Sequence, residues 1–303
     1  MIDIKKQIEQ LKKEKNAIIL AHYYVNDDIQ ELADYVGDSY YLSKLATEVP
    51  QDTIIFCGVS FMGESAKILS PEKTVLMPDM QADCPMAHMA DEDKIKEIRD
   101  NYKEDVAVVC YVNSTAELKA LSDVCVTSSN AVHIVRALPQ QHIFFIPDEN
   151  LGRYVASQVP EKDFILNDGF CHVHTSITRE NLEKAMEAKP NAKVLVHPEC
   201  TSDILELADY IGSTSGIIDF ATTSDAQEFV ICTEMGVLYE LKQKNPGKRF
   251  YNVGYRQYCP NMKKISLEKV LQVLKTGDNT VEINEELRQQ ANEPLKQMLL
   301  LAK

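Results

Sequence analysis

Leu32-Ala-Asp-Tyr-Val-Gly-Asp-Ser39 returns in altered form as Leu121-Ser-Asp-Val-Cys-Val-Thr-Ser128, and again as Leu207-Ala-Asp-Tyr-Ile-Gly-Ser-Thr214. The three copies start 89 and 86 residues apart. Each reads as the end of a helix, a short strand and then a hydroxyl residue. Self-similarity at a fixed period marks a repeated structural unit, and the flanking segments keep the period. Upstream lie three apolar strand-like runs, Ala17-Ile-Ile-Leu-Ala-His22, Val106-Ala-Val-Val-Cys-Tyr111 and Lys193-Val-Leu-Val-His197, each preceded by a charged amphipathic helix near 3–14, 91–103 or 178–189. Downstream come Ile54-Ile-Phe-Cys57, Ile143-Phe-Phe-Ile146 and Phe229-Val-Ile-Cys232, each followed by a loop opening a helix that carries Met62-Gly63, Leu151-Gly152 or Met235-Gly236. A fourth strand follows at Val75–Asp79, Phe164–Asp168 and Phe250–Val253. Strands alternating with helices predict parallel βαβ units. The expected fold is α/β: three similar parallel-sheet repeats at 1–88, 89–174 and 175–262, with 263–303 forming C-terminal helices that pack back on them.

Each fourth strand leads into a cysteine. Cys84, Cys171 and Cys259 stand 87 and 88 residues apart, in polar or glycine-containing loops that are poor places to bury a hydrophobe. Cys57, Cys110, Cys125 and Cys232 fall within or at the ends of strands, where a free cysteine acts as a small buried hydrophobe. Cys200 follows His197-Pro-Glu199 and has no counterpart in the other repeats. Equivalent positions of a triplicated chain meet near a pseudo-threefold axis, so the three loop thiolates can grip one soft metal centre and leave a coordination position open for chemistry. Structural zinc usually draws four ligands in close pairs, and the chain contains no C-x-x-C. Three isolated thiolates suit one [4Fe–4S] cluster per chain, with a single iron that no cysteine holds.

The 303 residues carry a net charge of −14, so nothing offers the basic stripe that nucleic acid or an anionic membrane needs. No apolar run approaches the roughly 18 residues that span a bilayer. Met1-Ile-Asp-Ile-Lys-Lys lacks the apolar core of a signal peptide, which predicts a cytoplasmic protein with reduced thiols. An anionic substrate then needs local help. Ser39, Ser128 and the pair Ser213-Thr214 recur just before expected helix starts, where hydroxyls and backbone N–H groups can hold phosphate or carboxylate. The alternative reading is ordinary N-caps, each worth roughly 1 kcal/mol.

Three polar pairs close the first strands: His22/Tyr24, Tyr111/Asn113 and His197/Glu199. In an extended chain a spacing of two puts both members on one side, at the strand ends where open α/β sheets place ligands. At a plain domain junction such groups would cost free energy. His172 and His174 flank Cys171, and His174 is a candidate to support that ligand.

The motifs Ala21-His22-Tyr23-Tyr24, Gly37-Asp-Ser39, Phe61-Met-Gly-Glu-Ser65-Ala-Lys67, Tyr111-Val-Asn113-Ser114, Thr127-Ser128-Ser-Asn130, His197-Pro-Glu199-Cys200 and Gly212-Ser-Thr214-Ser-Gly216, together with the three loop cysteines, run along essentially the whole chain. In these the chain resembles the quinolinate synthase family, iron–sulfur enzymes that condense iminoaspartate with dihydroxyacetone phosphate on the way to NAD. The resemblance implies three α/β domains around a pseudo-threefold axis with the active site at their junction. It also implies a [4Fe–4S] cluster on Cys84, Cys171 and Cys259 whose open iron acts as a Lewis acid. Tyr24, His197 and Glu199 are then the candidates for proton transfer. His22, Tyr111 and Asn113 would hold substrate, with Ser39, Ser128, Ser213 and Thr214 as further binding hydroxyls. Transient contact with the enzyme that makes iminoaspartate is a further expectation. Some members carry an extra cysteine pair near the C-terminus; nothing after Cys259 supplies one, so no redox switch of that kind is expected. Two other classes share these residues: a [4Fe–4S] hydro-lyase acting on another small hydroxy-acid, which needs no phosphate site, and a non-catalytic metal or redox-sensing protein.

Overall fold

A computed structural model describes residues 4–254 and 256–302; the first three residues of the N-terminal reading, with Tyr255 and Lys303, lie outside the described residues. The first sheet comprises β1 (Ala17–His22), β2 (Tyr35–Gly37), β3 (Thr53–Cys57) and β4 (Thr74–Leu76). The second holds β5 (Val106–Tyr111), β6 (Val124–Val126), β7 (His142–Ile146) and β8 (Asp163–Leu166). The third holds β9 (Lys193–Val196), β10 (Tyr210–Ile211), β11 (Glu228–Cys232) and β12 (Arg249–Asn252). Within each sheet the chain's second strand lies at one edge, followed by its first, third and fourth: β2-β1-β3-β4, β6-β5-β7-β8 and β10-β9-β11-β12. All these pairs are parallel, and the register repeats: Leu20 faces Tyr35, Val109 faces Val124 and Leu195 faces Tyr210. β1 and β5 are buried along their whole length, which is why they read as unbroken apolar runs rather than as alternation.

The repeated octapeptide earns its conservation of pattern through its aspartate. Asp34, Asp123 and Asp209 accept the N–H of Ile19, Val108 and Val194 at 2.8, 2.7 and 2.8 Å. Their own N–H groups donate to the carbonyls of the same three residues, at 3.0, 2.9 and 2.9 Å. Each aspartate thus seats the entry to an edge strand against the central one. A second repeated device comes from lysines just before the fourth strands. Lys73 donates to the Val49 carbonyl, Lys162 to those of Leu138 and Gln140 at 2.6 and 2.7 Å, and Lys248 to that of Ser224 at 2.6 Å. These carbonyls lie at the C-terminal ends of the helices Ser39–Glu48, Ala131–Ala137 and Thr214–Thr223, where a cation is favoured. Lys162→Met, which keeps the stem and removes the charge, should lower the unfolding free energy by about 1–2 kcal/mol; denaturant titration checks this.

Met62-Gly63 and Leu151-Gly152 lie inside the helices Ser60–Leu69 and Glu149–Gln158, but Met235-Gly236 stops just short of Val237–Lys244. There Leu238 and Tyr239 donate to the carbonyls of Met235 and Gly236, three residues back, at 3.0 and 3.2 Å, so a tight turn precedes the α-helix. The first two repeats share one continuous core with the C-terminal segment. The third has separate cores on the two faces of its sheet, Leu195, Phe229 and Ile231 on one, Val194, Val196 and Val230 on the other. The C-terminal helix Leu267–Thr276 packs on Ile4–Glu14, and Glu285–Leu301 packs on Ser60–Leu69, Ala116–Ala120 and β6. No helix among the described residues is long and apolar enough to cross a membrane.

Candidate functional site

The chain turns sharply after β1, β5 and β9, and the polar pairs that follow face one cavity. His22, Tyr24, Tyr111, Asn113, His197 and Glu199 line it together with Cys84, Cys171 and Cys259. Equivalent turns are built alike in the first and third repeats. His22 Nδ1 accepts the Tyr24 N–H at 3.2 Å, and His197 Nδ1 accepts the Glu199 N–H at 3.3 Å. An accepting Nδ1 leaves the proton on Nε2, so each ring presents an N–H to its surroundings. His197 Nε2 meets Ser128 Oγ at 3.2 Å. Burial pushes both imidazoles down to about 3, against the opposing pull of Glu199, so both rings are neutral near pH 7.

A continuous chain of hydrogen bonds crosses all three repeats. The Tyr24 hydroxyl meets Thr214 Oγ1 at 2.6 Å and Thr233 Oγ1 at 2.8 Å. Thr233 Oγ1 meets His174 Nε2 at 2.9 Å, and His174 Nδ1 reaches Glu199 Oε2 at 2.8 Å. The other oxygen of Glu199 accepts from the Tyr111 hydroxyl at 2.5 Å. For a neutral His174 whose Nδ1–H donates to Glu199, Nε2 must accept from Thr233, which then accepts from Tyr24. In that tautomer every donor in the chain points toward Glu199. Burial works against a charge on Glu199, but His174 beside it and the Tyr111 hydrogen bond outweigh it and hold its carboxyl below the usual carboxylate range. Burial, and then the charge of Glu199, push the phenols of Tyr24 and Tyr111 well above their ordinary value, so both are proton donors.

The three loop cysteines are half-buried and not disulfide-bonded, while Cys57, Cys110, Cys125, Cys200 and Cys232 are buried. Cys200 lies close to the third repeat's strand ends, its thiol 3.5 Å from the Cys232 carbonyl, and does not line the cavity. Burial raises the Cys84 thiol to about 12, and it likewise raises Cys171 and Cys259. Cys171, His174 and Glu199 bring one donor atom each within 4.8 Å of one another, with Cys171 Sγ 3.1 Å from His174 Nδ1.

The hydroxyl residues divide. Ser213 is an N-cap, accepting the Gly216 N–H at 3.2 Å, and Thr214 rather than Ser213 lines the cavity. Ser39 and Ser128 line it without capping: Asp38 caps the helix that Ser39 opens, and Ser128 lies ahead of the helix Ala131–Ala137. Asn113 Oδ1 is buried without a hydrogen-bond partner among the described residues. Thr233 and Glu234, which also matter here, follow β11. Asp148 and Glu234 stand at equivalent positions, two residues past the ends of β7 and β11, and are carboxylates closing apolar strands just as the polar pairs close the first strands.

The profile of the family described as "Quinolinate synthetase A protein" matches residues 6–300. A quinolinate synthase of Caldicellulosiruptor saccharolyticus is 54% identical over 299 residues, 99% of this chain and 98% of that one. The quinolinate synthase of Fusobacterium nucleatum is 53% identical, covering 99% of each chain. That of Clostridioides difficile is 51% identical over 99% of this chain and 98% of its own. With the match running nearly end to end, the chain belongs to the quinolinate synthetase A family.

Proposed function

We propose that the chain is a quinolinate synthase, joining iminoaspartate and dihydroxyacetone phosphate into quinolinate with loss of phosphate and two waters, for de novo NAD biosynthesis. The observation that carries the proposal is the cavity itself, in which three repeats contribute one loop cysteine each and one hydrogen-bond chain ends on Glu199. The repeats would be related by a pseudo-threefold axis through it. Cys84, Cys171 and Cys259 would hold a [4Fe–4S] cluster. The donor set fits: three thiols whose burial disfavours their anions need the positive charge that a metal centre brings. Cys171, His174 and Glu199 alone make a poorer metal site, because their short contacts already satisfy one another as hydrogen bonds. An iron with an open position supplies a Lewis acid that helps hydroxyl leave as water.

The chain's own residues supply the rest. Tyr24, which lines the cavity between Thr214 and Thr233, can turn its proton from Thr233 to a leaving hydroxyl, and Glu199, the acceptor end of the relay, can collect a proton. His197 Nε2–H, which meets Ser128 Oγ, can be shared with a carbonyl or carboxylate bound beside that hydroxyl. Asn113 Oδ1 is a spare acceptor suited to the imine N–H of iminoaspartate. Burial of these groups excludes the water that would hydrolyse an imine. Anaerobic purification should give a brown protein with about four irons and four sulfides per chain, bleaching in air; zinc without sulfide would contradict the reading.

Ser128 tests the anion site. Because its hydroxyl caps no helix, Ser128→Ala should leave the melting temperature near the parent's while raising the Michaelis constant for dihydroxyacetone phosphate about tenfold, the loss of one hydrogen bond to a charged group. An unchanged Michaelis constant would remove Ser128 from the site.

A further inference from the structure

Each loop cysteine is tied to the end of the third strand of its own sheet by the same pair of contacts. The first is between backbones: Ser60 N–H donates to the Ala82 carbonyl at 2.8 Å, Glu149 N–H to that of Gly169 at 2.7 Å, and Met235 N–H to that of Gln257 at 2.7 Å. In every case the acceptor stands two residues before the cysteine. The second contact is a carboxylate that accepts the cysteine's own N–H. Asp148 takes the N–H of Cys171 at 3.2 Å and Glu234 that of Cys259 at 3.0 Å, both from equivalent positions after β7 and β11. The other oxygen of each is fixed on the start of the next helix, at Leu151 N (2.7 Å) and Gly236 N (2.5 Å). In the first repeat the equivalent position is Val59, which has no carboxylate to give. There Asp83 accepts the Cys84 N–H at 2.7 Å and is held to the same helix start by the Ser60 hydroxyl at 2.5 Å. One function is thus met by two different sequence solutions, which marks the contact itself as what matters. Asp148 and Glu234 are fully buried, and no helix cap requires that burial.

We propose that Asp83, Asp148 and Glu234 are positioning residues for the metal centre: each fixes the backbone of one ligand cysteine so that its thiolate is aimed before metal arrives. Irregular loops are otherwise free, and a metal that must order three of them loses affinity to that ordering. A buried carboxyl group that takes the cysteine N–H on one oxygen and a helix-start N–H on the other can hold such a loop, and partners of metal ligands typically contribute 10–100-fold to metal retention. Gly169 belongs to the same design, since a Cβ there would lie 2.4 Å from the Pro147 carbonyl oxygen and push the Cys171 loop away.

The inference rests on the cluster reading above, and Asp148→Asn in the full chain separates the two. Asparagine keeps an oxygen for the Leu151 N–H and so keeps the helix cap, but turns an NH2 toward the Cys171 N–H. Loaded anaerobically, the variant should lose iron to a chelator about tenfold faster than the parent. Its metal-free form should melt with the parent's. Asp83→Ala, at a position that caps no helix, should behave the same way, and serves if Asp148→Asn does not fold. Iron loss at the parent's rate overturns the inference. So does faster loss accompanied by a lower melting temperature of the metal-free protein, which would make the carboxylate a fold residue. A parent that takes up no iron and sulfide overturns the cluster reading as well.

Discussion

Serine at any one of Cys84, Cys171 or Cys259 is expected to abolish both the iron–sulfur absorption and the activity. A hydroxyl at neutral pH is not an anion and is a hard donor, so the substitution removes one of three soft ligands, with no neighbouring thiol to take its place. The five other cysteines are buried and do not line the cavity. Cys57→Ser and Cys232→Ser therefore serve as internal controls. Each puts a hydroxyl at the end of a buried strand, which should cost roughly 1–3 kcal/mol of stability and leave the iron content of the folded protein at the parent's. Iron and sulfide analysis beside a melting curve distinguishes the two classes. A full cluster retained after the loss of any one of the three would break the ligand assignment.

The second large effect concerns Tyr24. Tyr24→Phe should lower turnover by about 10²–10⁴-fold, the range for a lost acid–base group, with cluster and fold intact. The hydroxyl bonds to two threonines, Thr214 and Thr233. Its loss opens the relay between Thr214 and Thr233 while the ring stays packed between β1 and the third repeat. Burial keeps this phenol protonated, so its role is donation and not base catalysis. Single-turnover kinetics on the iron-loaded variant check this. Parent-like turnover would make Tyr24 a packing residue and move the proton chemistry to His197 and Glu199.

The central strands were legible because parallel strands covered on both faces must be apolar throughout, as Ile18–Ala21 and Val106–Cys110 are. Strands of two or three residues, such as Tyr210–Ile211, carry too little pattern to be read alone, and only the 89- and 86-residue period exposed them. The same period held the capping lysines Lys73, Lys162 and Lys248, whose role depends on a helix end 24 residues upstream and so has no local signature. In the site, the residues at the ends of the first strands declared themselves, because a polar pair closing an apolar run has no packing reason to be there. Thr233 did not, since one threonine after β11 looks like any strand-end residue until His174 and Tyr24 are brought to either side of it. Ser213 shows the limit of reading recurrence alone. Recurrence holds better for its neighbour: the octapeptide's register aligns Thr214 with Ser39 and Ser128, which all line the cavity, and aligns Ser213 with Asp38, which likewise caps its helix.

The claim that three repeats converge to make quinolinate from two small substrates is tested most directly by assaying the product. Protein purified without oxygen is given dihydroxyacetone phosphate and freshly generated iminoaspartate, and quinolinate is quantified chromatographically. The account predicts quinolinate and phosphate in equal amounts, with production lost on exposure to air and absent from Cys171→Ser. An iron- and sulfide-loaded protein that forms no quinolinate from these two substrates would contradict it.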